Sequence, residues 1–471
     1  MMKNKKRVYI ILMMIIVYIG TIIIPFTNQP QVSQETQEQV EKTEFTKESE
    51  GGERAYIIED NGEALEERIR LISQAKENIV LSTFEFRSDE SGKDVLSALI
   101  MAAHRGVKVK VLVDGMAATI RMPNNEYFIA LSALENAEIK IYNNISLLKP
   151  WNLMARMHDK YLMVDNKAYI LGGRNTYDYF LGDHNGYKNY DWDVLVYQQS
   201  KQDDSSMNQL SNYFYDVWNL PVSRLYHDDV KELNQSNVIK AKNELENRYK
   251  TMQKDNLDWF KQEDYIKKTK PTHHIELVTN PIHTQAKEPI VFYTLTKLMQ
   301  QAQKEVIFHT PYIIANEMMM ESLQQVCQKV PSVTMMTNSV ANNGNPFGAM
   351  DYDWHKSQIL KTGVQILEYD DGVSYHGKCM TIDNRLSVVG SFNWDMRSVY
   401  LDTEMMVVID SQEVNAQLRE KMGNYEKDAL KVKDEDHYDL KDNQKPQELS
   451  FFKKLQLLVM QIFVGWLRFL M

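Results

Sequence analysis

Two stretches of the chain carry the same reactive residues in the same order. The first is HDKYLMVDNKAYILGGRN (158–175) and the second is HGKCMTIDNRLSVVGSFN (376–393). Both fit H-x-K-x4-D-x6-G-[G/S]-x-N. His158, Lys160, Asp165, Gly172, Gly173 and Asn175 align with His376, Lys378, Asp383, Gly390, Ser391 and Asn393. One His and one Lys make no catalytic site. Two copies facing each other supply two His, two Lys and two Asn, a set suited to a phosphodiester. The Lys and Asn side chains hold the non-bridging oxygens, where charge grows in the transition state. One His attacks phosphorus and becomes covalently attached. The other protonates the leaving alcohol and then deprotonates the acceptor.

The spacing says how these groups are held. The residues after each His (YLMV, CMTI) are strand-forming, and side chains alternate along a strand. His158 and Lys160 therefore share a face, as do His376 and Lys378. Asp165 and Asp383 fall at an odd offset and precede Asn, which is turn chemistry. They are expected to hold the motif's backbone and not to meet the substrate. Small residues at Gly172-Gly173 and Gly390-Ser391 allow close backbone approach beside Asn175 and Asn393. A nucleophilic His needs its other ring nitrogen pinned. Glu404 and Asp193 each begin an apolar strand, and either is an orienting carboxylate or a strand-edge charge. No residues have convincing metal spacing, so neither a metal nor a cofactor is expected; His273-His274 suits a strand start. Cys379 opposes His376 in parity and is expected to be a buried thiol, with Cys327 on a core helix. Glu85 and Tyr312 end equivalent strands, where α/β folds place ligands, or are packing residues. Arg397 and Ser398 contact a head-group phosphate or serve as caps. His309 and His355 have no evident partner.

The elements that carry the motifs are themselves repeated. A strand, a helix and a second strand appear at 79–86, 94–104 and 107–113, and again at 306–314, 318–328 and 333–337. Strand–helix–strand predicts a parallel crossover, so each half is α/β. The expected organisation is a first half over 54–200, a solvated helical connector over 201–270 and a second half over 271–430.

The two ends address a membrane. Lys3, Lys5, Lys6 and Arg7 precede a charge-free run from Val8 to Phe26, long enough to approach the thickness of a bilayer core. No small-x-small cleavage site follows, so an uncleaved anchor is expected over 1–26. Its basic flank puts the N-terminus in the cytoplasm and the rest outside. Residues 27–53 are Gln/Glu-rich and aperiodic, the pattern of a disordered tether. Residues 431–471 are expected to be a linker followed by an amphipathic helix. Lys454, Gln461, Gly465 and Arg468 form one polar stripe. Either the helix lies in the interface with Lys453, Lys454 and Arg468 near head groups, or it packs on the protein. The composition agrees with a lipid role. The chain has 471 residues, 54 basic against 64 acidic, net charge −10, and 2 Cys. That balance discourages a nucleic-acid partner, and two cysteines exclude a disulfide framework. High Met and Tyr counts (26 and 25) suit a lipid-contacting surface.

The doubled motif resembles the phospholipase D superfamily, and especially its cardiolipin synthase-like branch. The branch-type text is RMHDK (156–160), GGRN (172–175), DWDV (191–194) and GSFNWDMRSVYLDTEM (390–405), with PYII (311–314) and TNSVANN (337–343). The resemblance implies two α/β halves with mixed sheets and the active site between them. It implies His158 as nucleophile, His376 as acid/base, and Glu404 and Asp193 as His-orienting residues. It departs at Trp394, Asp402 and a shorter segment after GGRN, positions expected near the mouth, where substrate is chosen. The implied activity is phosphatidyl transfer to a lipid alcohol, with phosphatidylglycerol as acceptor and phosphatidylethanolamine as a further candidate substrate. The alternatives are phospholipid hydrolysis to phosphatidic acid, then a nuclease, and last a non-catalytic scaffold.

Overall fold

The computed structural model describes residues 2–227, 235–442 and 444–471. Each half is built on a nine-stranded mixed sheet flanked by helices. The first runs in the order Lys270–Pro271, Glu53–Ile58, Asp193–Gln198, Ala168–Gly172, Tyr161–Val164, Asn78–Thr83, Lys108–Asp114, Ala137–Tyr142, Ser223–Leu225. The second runs His274–Thr279, Met405–Asp410, Leu386–Gly390, Cys379–Ile382, Glu305–His309, Ser332–Asn338, Gln365–Tyr369, Leu430–Val432, Tyr438–Asp439. The predicted crossovers are present. Asn78–Thr83 pairs in parallel with Lys108–Asp114 across the helix Glu90–His104, and Glu305–His309 with Ser332–Asn338 across Glu317–Lys329.

Near-continuous runs of Val, Ile and Leu mark sheets covered on both faces. One core lies under the helices of each half. A third joins the two sheets through Trp192, Tyr161, Tyr375, Ile307, Val389 and Met405. The halves therefore share apolar surface and pack as one body.

Between the two ends the chain departs from the sequence expectation in three places. The expected connector is largely part of the first half. Helix Ser236–Asp255 buries Val238, Leu245, Tyr249 and Met252 in the first core, because its apolar positions recur at helical spacing. Residues 228–234 of that connector lie outside the described residues. The expected tether is ordered. Residues 34–42 form a helix capped by Ser33, and the backbone of Ser33 and Lys47 bonds Glu288 and Asp410 of the second half. Polar side chains with fixed partners hold it where hydrophobicity alone would not. Finally, the linker after 430 adds two short strands to the second sheet.

Among the described residues one helix, Lys5–Phe26, is long and apolar enough to cross a membrane. The C-terminal helix Phe451–Val464 docks on the second half along helix Pro346–Lys361, burying Leu457. Of the three basic residues that the interfacial expectation put near head groups, Lys453 and Arg468 turn to the protein instead. Arg468 meets both oxygens of buried Asp351 (2.8 and 2.9 Å), and Lys453 donates to the carbonyl of Ala341 (2.7 Å). Lys454 stays exposed.

Candidate active site

Both motifs sit at the contact between the halves, and each His segment is held by the opposite half. The N–H of His158 donates to the carbonyl of Thr403, and that of His376 donates to the carbonyl of Tyr190. Met157 bridges to Thr403, and Ser374–Tyr375 pairs in parallel with Asn189–Tyr190. Asp159 accepts from Thr403 Oγ1 (2.8 Å) and Tyr213 Oη (2.8 Å). At the equivalent position a Cβ on Gly377 would lie 2.3 Å from the Trp192 ring, so no larger residue fits.

The His–carboxylate contacts also cross over. His158 Nδ1 lies 2.8 Å from Glu404 Oε1, and His376 Nδ1 lies 2.6 Å from Asp191 Oδ2. The second partner is a correction, since Asp193 was expected. Asp193 is fully buried in the first half, paired with Arg68 (2.9 Å) and Arg174 (3.3 Å). Register explains the difference. Gly172 pairs with Asp193 and Gly390 with Met406, so the counterpart of Glu404 is two residues before Asp193. Superposing the apolar runs after Glu404 (MMVVI) and Asp191 (WDVLV) carries the signal that strand onset alone missed.

Asp165 accepts the N–H groups of Lys76, Glu77 and Asn78 at 2.8–2.9 Å. Asp383 does the same for Gln303, Lys304 and Glu305 at 2.8–3.1 Å. Both adopt positive φ (54° and 49°), which Asp tolerates in turns. Each ties its hairpin to the loop before the central strand, away from the His pair.

A cleft of about 520 Å³ opens on His158, His376 and Asn175. Phe84, Phe180, Tyr177 and Tyr179 supply aromatic wall, while Asn189, Asn343, Asn345 and Ser374 supply polar wall; Glu85 and Tyr312 both line it. Asn175 Oδ1 accepts from the Glu85 N–H (3.2 Å). Asn393 is buried, and its Oδ1 has no partner among the described residues. Lys160 and Lys378 are buried beside their histidines. Lys160 Nζ reaches the His158 carbonyl, and Lys378 Nζ lies 2.6 Å from His376 Nδ1.

Electrostatics follows from this crowding. Burial, then Lys160 and Lys378, hold His158 well below the ordinary histidine range. Burial and Lys378 bring His376 down to about 4, against the pull of Asp191. Burial lowers Lys160 to about 7 despite Glu404. Burial also raises Glu404 to about 7, while for Asp191 Lys378 and His376 outweigh burial and keep it below the usual range. Two histidines and two lysines crowd one buried volume and disfavour one another's charged forms, a state that an incoming anion relieves. Among the described residues no three His, Cys, Asp or Glu side chains gather as a metal site needs.

Several other residues act behind this site. Ser398 donates to Glu404 (2.6 Å), and Arg397 pairs with Asp402 (2.9 Å) and donates to the carbonyls of Met154 and Leu470. Neither faces the cleft, where head-group contact was one option. Trp394 and Asp402 are buried, not at the mouth; Trp394 stacks on Phe308. Cys379 is buried, and Cys327 lies half-buried on its helix. His309 is held between Tyr375 and Glu426, and His355 beside Asp351.

The comparisons agree with this geometry. The model of the family described as cardiolipin synthase, phospholipase D-like domain, matches residues 69–218 and 295–425, more than half of the chain. The chain belongs to the cardiolipin synthase-type phospholipase D-like family. The family match falls as two segments, one in each half. Cardiolipin synthase C of Escherichia coli is 24% identical over 416 residues, covering 78% of this chain and 83% of that protein. A cardiolipin synthase of Clostridium perfringens is 26% identical over 364 residues, covering 77% and 68%. The crystal structure of phosphatidylserine synthase from Haemophilus influenzae superposes with a TM-score of 0.63 at 14% identity, covering 93% of this chain and 99% of that one. That likeness is one of fold. The chain is thus a phosphatidyltransferase-like enzyme of this superfamily, whose relatives imply phospholipid substrates.

Proposed function

We propose that this protein is a membrane-bound phosphatidyltransferase that makes cardiolipin from phosphatidylglycerol. The observation that carries the reading is the pair of His–carboxylate contacts exchanged between the halves at one cleft. With Glu404 on Nδ1, neutral His158 presents Nε2 to phosphorus. The bound phosphodiester anion favours the charged form of His376; as the new P–N bond forms and the P–O bond to glycerol breaks, that imidazolium gives its proton to the glycerol oxygen. A second phosphatidylglycerol then gives its hydroxyl proton to His376 and attacks phosphorus. The P–N bond breaks and cardiolipin leaves. Lys160, Lys378, Asn175 and Asn393 hold the non-bridging oxygens, and the phosphodiester anion restores full charge to the buried lysines. Asp165 and Asp383 keep the hairpins in place.

The apolar N-terminal helix and its basic flank support a single-pass anchor with the N-terminus in the cytoplasm and the catalytic halves outside. Protease protection of the catalytic halves in right-side-out vesicles would reverse that topology.

Purified protein in phosphatidylglycerol vesicles is expected to release cardiolipin and glycerol. Phosphatidic acid as the sole product would make it a hydrolase, and cleavage of single-stranded DNA a nuclease. Loss on His158→Ala should exceed about 10⁴-fold. Full activity in that variant would end the two-histidine mechanism.

A further inference from the structure

The C-terminal helix has an unusual relation to the rest of the molecule. Lys453 and Arg468 point inward and its apolar face points out. Phe451, Phe452, Leu455, Leu458, Val459, Ile462, Phe463 and Trp466 are 45–81% exposed, and at i, i+3, i+4 and i+7 spacing they form one face. Solvent does not favour so contiguous an apolar surface.

Two observations say what covers it. First, the segment that carries the face ends in the core on which the anchor ends. Leu467, Phe469, Leu470 and Met471 pack in the same core as Ile23 and Phe26, where the N-terminal helix ends. Tyr18 of that helix bonds the carbonyl of Leu147 (2.9 Å), and Leu147 and Leu148 are 73% and 87% exposed. Arg397 joins the carbonyls of Met154 and Leu470. Second, exposed Lys454 borders the apolar face, as head groups require.

The same segment reaches the cleft from two directions. Lys453 holds the carbonyls of Ala341 and Asn343 (2.7 and 3.4 Å), beside the cleft residues Asn343 and Asn345. Asn345 caps the helix whose Asp351 binds Arg468. On the other flank, Leu470 meets Arg397, next to the Ser398 that bonds Glu404.

We propose that the C-terminal helix is a bilayer-seated clamp on the mouth of the cleft. Its apolar face lies at the head-group boundary of the membrane that the anchor crosses. Lys453 and Arg468 hold the cleft wall at that boundary, so a phospholipid reaches the histidines while its acyl chains stay in lipid. The occupant is a phospholipid bilayer. Only the kinetic part of the test rests on the proposed transferase activity.

The test uses the full chain with Cys327→Ser, reconstituted in phosphatidylglycerol–phosphatidylethanolamine vesicles. Nitroxides placed through Leu458→Cys, Phe463→Cys and, as an aqueous reference, Lys250→Cys report depth by power saturation. Positions 458 and 463 should be oxygen-accessible and shielded from a nickel chelate, the reverse of position 250. Chelate access equal to that at 250 overturns the proposal. So does shielding from both oxygen and chelate, the mark of a protein partner. In the kinetic part, the Phe452→Ser/Phe463→Ser double variant should turn over vesicle phosphatidylglycerol about tenfold more slowly. Its rate on monomeric short-chain phosphatidylglycerol should be unchanged. Equal loss on both substrates, or no loss on vesicles, counts against the clamp. Absence of turnover in the unaltered chain would defeat the proposed function and leave the depth result standing.

Discussion

In one half-site the imidazole of His158 meets a glutamate from the opposite half; in the other, His376 meets an aspartate. The backbone around them adapts to that one-methylene difference. Asp191 is short, so it must come close, and it occupies the space above Gly173. A Cβ there would lie 2.3 Å from Asp191 Oδ1. Glu404 reaches further, and Ser391 fills the equivalent space and donates to it, as does Ser398. The charge states diverge accordingly. Lys378 and His376 overcome burial and hold Asp191 ionised, while burial lifts Glu404 to about 7. The repeat therefore duplicates geometry without duplicating electrostatics, and the G-[G/S] alternation in the motif records which carboxylate stands opposite.

The largest effect that tests this comparison separates Asp191 from Asp193. Asp191→Asn keeps the shape but leaves His376 without its anionic partner, and kcat should fall by about 10³–10⁴-fold with the fold intact. Asp193→Asn strands Arg68 and Arg174 without a counter-charge. It should cost about 3–5 kcal/mol of stability, while the folded fraction keeps its rate. Activity and thermal melting on both variants decide, and the reverse pattern would return the orienting role to Asp193. Next in size is an exchange at the small residue of the motif. Gly173→Ser pushes Asp191 from His376 and should lower kcat by about 100-fold. Ser391→Gly removes one hydrogen bond to Glu404 and should cost about tenfold. Equal losses would mean the half-sites are interchangeable after all.

Much of this was legible from the chain because the relevant physics is local. The doubled spacing set His158/Lys160 and His376/Lys378 on strand faces, and the apolar runs announced two sheeted halves. The identity of the carboxylate beside His376 was not legible from strand onset. It depends on which residue of Asp193–Gln198 pairs with Gly172, a register set across the long irregular loop between the two strands. The order of residues 27–53 was hidden for a similar reason. Its polar side chains are individually fit for solvent, and the partners that fix its backbone, Glu288 and Asp410 among them, lie on a distant surface. The C-terminal stripe showed its periodicity but not its direction, because an arginine pairs with a protein carboxylate such as Asp351 or with a head-group phosphate by the same chemistry.

The last effect concerns proton binding at the second half-site. His376 titrates near 4 in the folded protein because burial and Lys378 oppose its charged form; in the unfolded chain it titrates near 6.5. Between those values the unfolded state binds a proton that the folded state refuses, so this group's contribution is full above pH 6.5 and is lost as pH falls towards 4. From pH 7 to 5 the loss is about 2 kcal/mol. Glu404 and Asp159, raised to about 7 by burial, act in the opposite sense over the same window. A wild-type pH profile would therefore mix both signs. The difference between the wild-type protein and His376→Asn cancels the carboxylates and isolates the histidine. Asp191 stays ionised in both, since Lys378 remains beside it. Melting at pH 7 and pH 5 should show the wild type losing ground relative to the variant as the pH drops. A difference that does not change with pH would show His376 carrying its ordinary affinity for protons, and with it an open, well-solvated second half-site.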